Sequence, residues 1–164
     1  EAYVPAPYQG QVLGLLAEID AVLRNFVFGR LVVALLVGLL SAAGLALIGV
    51  EYALVLGAIA GICDLIPFFG PFIGAVPAVI LAGLKPTTAL LLVVILFVIV
   101  QQIEAQVLAP LILSETVGLH PVAVIFALLA GGHLYGLWGV LLAVPVAAVL
   151  RLLLRRLYLY LVEQ

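Results

Sequence analysis

Residues 87–120 read TTALLLVVILFVIVQQIEAQVLAPLILSETVGLH, and the fold turns on this stretch. Every residue from Ala89 to Val100 is apolar; then Gln101, Gln102, Glu104 and Gln106 fall within one and a half helical turns. Apolar character resumes from Val107 to Leu113, so the polar cluster does not end the segment. A carboxyl flanked on both sides by such residues costs about 3 kcal/mol or more at the centre of a bilayer, and such groups face a protein interior or an aqueous cavity. Glu104 is therefore the first candidate for function, with Gln101 and Gln102 as hydrogen-bonding neighbours. A carboxyl that exchanges a proton suits coupled transport. A structural carboxylate bonded to another helix is the plainer alternative.

The rest of the chain has the same character. Of 164 residues, 68% are hydrophobic and 9% charged, and the mean hydropathy is +1.47. A soluble domain of this size exposes too much surface to hide so many apolar side chains. The composition is that of an integral membrane protein. The net charge of −2 and the lack of a basic stripe give no footing for nucleic acid. Cys63, the one cysteine, lies in an apolar run and reads as a small buried hydrophobe. The first residue is Glu rather than Met, which suits a piece of a longer chain.

Outward from residues 87–113, read as a span with a polar centre, the other segments fall into place. Residues 1–30 form an N-terminal linker and an amphipathic helix. Val12, Leu15, Leu16, Ile19, Val22 and Leu23 recur at helical spacing, with Glu18, Asp20 and Arg24 between them. Residues 31–164 form the transmembrane domain. Its first span, 31–50, is interrupted only by Ser41 and is long enough to cross about 30 Å of hydrocarbon.

Residues 52–84 would make a helix of about 50 Å, too long for one crossing. Their middle reads Asp64-Leu-Ile-Pro-Phe-Phe-Gly-Pro71, which no straight helix tolerates. We read a helical hairpin closed by Pro67, Gly70 and Pro71. Residues 121–160 repeat the anomaly as a second hairpin and C-terminal helix, interrupted by Gly131, Gly132, His133, Gly136 and Gly139. Pro110 is a further hinge candidate. Asp64 either caps the returning helix or lines the path. His133, at the second tip, either binds substrate or protons or is a structural histidine.

The hairpins look like copies. Gly49-Val-Glu-Tyr52 matches Gly118-Leu-His-Pro121, and Ala75-Val-Pro77 matches Ala143-Val-Pro145. Arg24 and Arg30 before the first span, and Arg151, Arg155 and Arg156 at the end, belong on the cytoplasmic side. The two span-plus-hairpin units then run in opposite senses, as in secondary transporters with inverted repeats and broken helices. The expected fold is all-α and membrane-embedded, with transmembrane helices and two helical hairpins in an inverted repeat. The spacings Gly57–Gly61, Gly70–Gly74 and Gly132–Gly136 read as close-packing sites. No enzyme, phosphate-loop or metal-binding signature is present, so the sequence points to no catalytic residue, metal or cofactor.

The chain resembles the autoinducer-2 exporter family of bacterial membrane proteins. The likeness lies in Asp64-Leu-Ile-Pro-Phe-Phe-Gly-Pro71, Ala75-Val-Pro77, Gln101-Gln-Ile-Glu104 and Val107-Leu-Ala-Pro110. It continues in Val117-Gly-Leu-His-Pro121, Ala130-Gly-Gly132, Gly136-Leu-Trp-Gly139 and Ala143-Val-Pro145, covering roughly residues 25–155. The resemblance implies a multi-pass inner-membrane transporter of small hydrophilic molecules, of which some export autoinducer-2 and others are linked to sodium–proton exchange. It also implies a homo-oligomer, a pentamer in the family, with the lipid bilayer and a small polar solute as partners. Family members carry further N-terminal spans, so the chain corresponds to their C-terminal half. An arginine-glycine-glutamine segment of the family reads Phe28-Gly29-Arg30 here. A passive channel and a non-transporting membrane scaffold are the rival functions.

Overall fold

A computed structural model describes residues 6–113 and 119–162. Among the described residues all regular structure is helical. The elements are α1 (Ala6–Ile48), α2 (Ala53–Asp64), α3 (Gly70–Gly83), α4 (Thr87–Ile103), a π-helical turn (Glu104–Leu108), α5 (Ala109–Leu113) and α6 (Pro121–Val162). Among the described residues three stretches are long and apolar enough to cross a membrane: Leu13–Ile48, Thr87–Ile112 and Val122–Arg156. The chain is an all-helical, multi-pass membrane protein. It divides into two units, residues 28–114 and residues 1–27 with 115–164.

In the first of these units, α1 ends where Gly49 turns to a φ of 81°. Gly49 N–H donates to the Ala46 carbonyl and Val50 N–H to the Leu45 carbonyl, the paired bonds by which a left-handed glycine closes a helix. The chain then reverses into α2. At 12 and 14 residues, α2 and α3 are about 18–21 Å long, too short to cross the hydrocarbon alone. The segment between them turns on Pro67 and on Phe68, whose φ of 65° is rare for a side chain of that bulk. Pro71, in the first turn of α3, needs no backbone partner there.

Small residues let these helices meet backbone to backbone. A Cβ on Gly57 would lie 2.6 Å from the Gly38 carbonyl oxygen, and one on Gly61 2.6 Å from that of Ala34. Gly74 faces Ala60 Cα at 2.8 Å in the same sense, and Gly70 presses against the backbone of Cys63. Such approach is how membrane helices gain contact without a hydrophobic drive between them. Around it Leu45, Val50, Leu56, Ala78, Ala82 and Val93 form one buried cluster. Val33, Val37 and Val100 form a second, against Leu96, Leu108 and Ile112. At the end where α1 turns into α2 and α3 into α4, Lys85 Nζ donates to the Gly49 carbonyl at 2.9 Å and lies 3.5 Å from Glu51. A cation there satisfies the negative end of α1.

The other unit contains α6, whose helix breaks at Gly136 (φ 58°, ψ −136°). Gly131 and Gly139 meet backbone to backbone, which an unbroken helix forbids, so the chain folds back into two arms. The tight pair is Gly131–Gly139; Gly132 faces only the Val140 side chain and Gly136 supplies the left-handed turn. His120 starts α6, its Nδ1 accepting from Val122 N–H at 3.4 Å. Arg156 meets Glu18 at 2.5 Å.

α1 runs unbroken through residue 30. Phe26, Val27 and Phe28 continue the apolar helix on the N-terminal side, leaving Arg30 inside a helix rather than at its mouth.

Candidate functional site

Arg30 is the centre of the site. It projects from α1 and only 8% of its side chain is accessible, a costly place for a guanidinium unless charges meet it. Two carboxylates do. Nη1 donates to Glu104 Oε1 at 3.2 Å, and Nη2 lies 3.5 Å from Asp64 Oδ2 while donating to the Asp64 main-chain oxygen. The planar fork of arginine suits this division between two acceptors on different elements.

Each partner is placed by a local irregularity that the sequence explains. Asp64 is the last residue of α2, fixed there because Pro67 and the Phe68 turn prevent the helix from continuing. Its side chain is fully buried, packed where Gly70 brings α3 against the Cys63–Asp64 backbone. Glu104 opens the π-helical turn, in which Ala109 N–H reaches back to the Glu104 carbonyl. The following Pro110 has no N–H to give, and its ring would crowd the carbonyl four residues earlier. Widening the preceding turn relieves that crowding. Single π turns of this kind gather at functional sites. The Glu104 side chain is 12% accessible.

The cluster therefore joins three elements: α1, the tip of the α2–α3 hairpin, and the π turn after α4. One guanidinium faces two carboxylates, so with all three ionised one negative charge is left over. Three buried atoms in it have no hydrogen-bond partner: Arg30 Nε, Asp64 Oδ1 and Asp64 Oδ2. Unsatisfied charge at this depth is expensive, so the arrangement favours a further positive charge, brought by a proton or another cation.

Of the residues singled out from sequence, Glu104 and Asp64 come together. Gln102 does not join them; it is exposed and accepts from Gln106 Nε2 at 3.2 Å, one turn along the outer face. Gln101 is half-buried on the same helix. Pro67, Gly70 and Pro71 shape the hairpin tip, and Pro110 shapes the π turn. His133, Gly131, Gly132, Gly136 and Gly139 lie in the other unit, with His133 exposed beside the Gly136 break. Gly49 and Gly118 stand sixty-nine residues apart, and the same offset carries Asp64 onto His133. In the repeat read from the sequence, an acid and a histidine therefore stand at matching positions.

Sequence reasoning puts Arg30 on the cytoplasmic flank and misses its role in this cluster. The available signal was bookkeeping of charge: two carboxyls in apolar stretches need a countercharge, and few cations exist to supply it. Arg30, with apolar residues on both sides, is the one least able to reach water.

Comparison with known proteins shows the family to which the chain belongs. The model of the AI-2E family transporters matches residues 1–158. YrrI of Bacillus subtilis (strain 168), named as a candidate transport protein, is 39% identical over 150 residues. That match covers 92% of this chain and 42% of YrrI. YueF of the same organism, named likewise, is 36% identical over 90% of this chain and 40% of its own length. PerM of Escherichia coli (strain K12), named as a candidate permease, is 30% identical over 82% of this chain and 38% of its own. The chain thus spans about two fifths of the length of these relatives. No solved structure matches it. The chain belongs to the AI-2E family of transporters.

Proposed function

We propose that this chain forms the core of a proton-coupled secondary transporter that exports small hydrophilic molecules, of the autoinducer-2 kind, across the bacterial inner membrane. The observation that carries the reading is the buried Arg30–Asp64–Glu104 cluster. Its charges are held in apolar surroundings, it ties a hairpin tip to two long helices, and it is one positive charge short of neutrality. Intramembrane ionisable groups of this sort mark ion and substrate pathways. Family membership and the transport names of the relatives support the same direction.

In this reading the cluster holds together with one proton bound; losing that proton leaves the excess carboxylate charge unbalanced, loosens the hairpin tip, and lets the α2–α3 hairpin move against α1. Uptake of a proton on the other side restores the cluster. Coupling follows because the charge state and the hairpin position bias one another. The second hairpin, with exposed His133 at its glycine-rich break, offers polar contacts to the solute. Homo-oligomerisation, as a pentamer, belongs to the same proposal. It is supported by large apolar side chains such as Trp138 and Leu111, whose exposure calls for lipid or protein cover.

The test is efflux of autoinducer-2 from proteoliposomes containing this chain, with and without an imposed pH gradient. Gradient-driven efflux that an uncoupler abolishes is expected. Equal efflux without a gradient would make the protein a passive channel. No efflux from this chain, or from a longer form bearing further N-terminal spans, would leave only the scaffold.

A further inference from the structure

We propose that the coupling proton is carried by Asp64, as an O–H donated to Glu104, while Glu104 stays ionised against Arg30. This rests on the proton-coupled reading above but assigns the proton to one atom set, which that reading does not.

The two carboxyls are not equivalent. Glu104 Oε1 already receives a charge-assisted hydrogen bond from Arg30 Nη1, which stabilises it as an anion. Asp64 receives none on its side chain: Nη2 donates to the Asp64 main-chain oxygen and stands 3.5 Å from Oδ2, beyond good hydrogen-bond length, and neither side-chain oxygen has a hydrogen-bond partner. Asp64 is also the more completely desolvated, at 0% accessibility against 12% for Glu104. Finally, Asp64 ends α2, where the negative end of the helix dipole disfavours an anion. Glu104, inside a continuing helix, meets no such terminus.

The charged and titratable groups facing Asp64 are Arg30 from α1, Glu104 from the π turn, and Cys63 beside it on α2. Glu104 and Asp64 meet the two ends of one guanidinium, at 3.2 Å from Nη1 and 3.5 Å from Nη2, which makes the two carboxyls neighbours. A proton on Asp64 therefore has an acceptor waiting. It converts two donorless oxygens into a donor–acceptor pair and leaves Arg30 and Glu104 as a balanced ion pair. A proton on Glu104 would instead forfeit the one hydrogen bond that Arg30 gives a carboxylate and leave ionised Asp64 buried without a donor. Two carboxyls sharing one proton because both cannot ionise is a known solution to crowding of like charge. Here the position of the arginine decides which of them bears it.

Infrared difference spectroscopy on the protein in lipid, titrated from alkaline to acidic pH, reads the site directly through the C=O stretch of a protonated, slowly deuterium-exchanging carboxyl. Wild type, Asp64→Asn, Glu104→Gln and Asp64→Glu are compared. The expected band appears in wild type and is absent in Asp64→Asn; in Glu104→Gln, where Arg30 faces a single carboxyl, it appears only at lower pH and at a frequency shifted by loss of the carboxylate acceptor. Should Asp64→Asn not assemble, Asp64→Glu moves the band in frequency while retaining it. A band lost in Glu104→Gln and unmoved in the Asp64 variants would overturn the assignment, as would the absence of any buried carboxyl titrating in wild type. No solute enters the experiment, so a failure of the transport reading leaves its outcome intact.

Discussion

Arg30 and Glu104 stand seventy-four residues apart in the chain, and Arg30 Nη1 donates to Glu104 Oε1 at 3.2 Å. Arg30 also reaches the tip of the α2–α3 hairpin through Asp64. A single side chain thereby links three elements.

Removing that side chain should be among the most damaging single changes in the protein. Arg30→Gln leaves two buried carboxylates facing each other, and breaking a buried pair costs about 3–5 kcal/mol. Arg30→Lys keeps the charge but offers no planar fork, so an intermediate loss is expected. Thermal unfolding of the purified variants in detergent, followed by circular dichroism, ranks them. Arg30→Gln as stable as wild type would mean that the cluster does not hold the elements together.

Close packing of α1 on α2 gives a second prediction. Gly61→Val drives a branched side chain into the Ala34 carbonyl and Gly38 backbone, and overpacking of this kind costs about 1–3 kcal/mol or more. Gly83, at the end of α3, has nothing within 4 Å of a new Cβ. Gly83→Ala should therefore be neutral, or stabilising by up to about 1 kcal/mol through helix propensity. The same unfolding assay separates the two, and equal effects would deny the tight crossing.

Pro110 should matter for placement more than for stability. Pro110→Ala restores a donor for the Gln106 carbonyl, so the π turn can tighten to α-helix. That removes its extra residue and turns Glu104 by about 100° relative to α5. The expected result is a variant at least as stable as wild type whose gradient-driven efflux falls. Undiminished efflux would show that the π turn does not position Glu104.

The Arg156–Glu18 pair is the contrasting case. Its side chains are 38% and 48% accessible, and exposed pairs contribute about 0–1 kcal/mol and fade with salt. Glu18→Ala should leave unfolding nearly unchanged at high ionic strength. A large loss there would mean that this contact is sealed from solvent in the assembled protein.

Much of the fold was legible because it is written in strong local signals. Apolar runs of span length mark membrane-crossing helices, while the Pro67–Pro71 interruption and the glycines around Gly136 exclude a simple helix for reasons of backbone geometry. The chemistry was half legible. Asp64 and Glu104 stood out as carboxyls in apolar stretches, but no periodicity tells which cation meets them across seventy-four residues. Arg30 was assigned to a membrane edge because positive charges usually gather there. Only the unbroken course of α1, with Phe26 buried before it, places the guanidinium inside. Gln102 was grouped with Glu104 on proximity in sequence. The helix turns it outward, two residues being about 200° of rotation. The π turn was invisible because it arises from a clash at Pro110, not from the residues that form it.

The most direct test of coupling through the buried cluster is autoinducer-2 movement in proteoliposomes under an imposed pH gradient, beside solute exchange at equal pH, for wild type, Asp64→Asn and Glu104→Gln. If the cluster couples proton to solute, both variants lose uphill, gradient-driven accumulation while keeping downhill exchange. Accumulation at the wild-type level in both variants would contradict it.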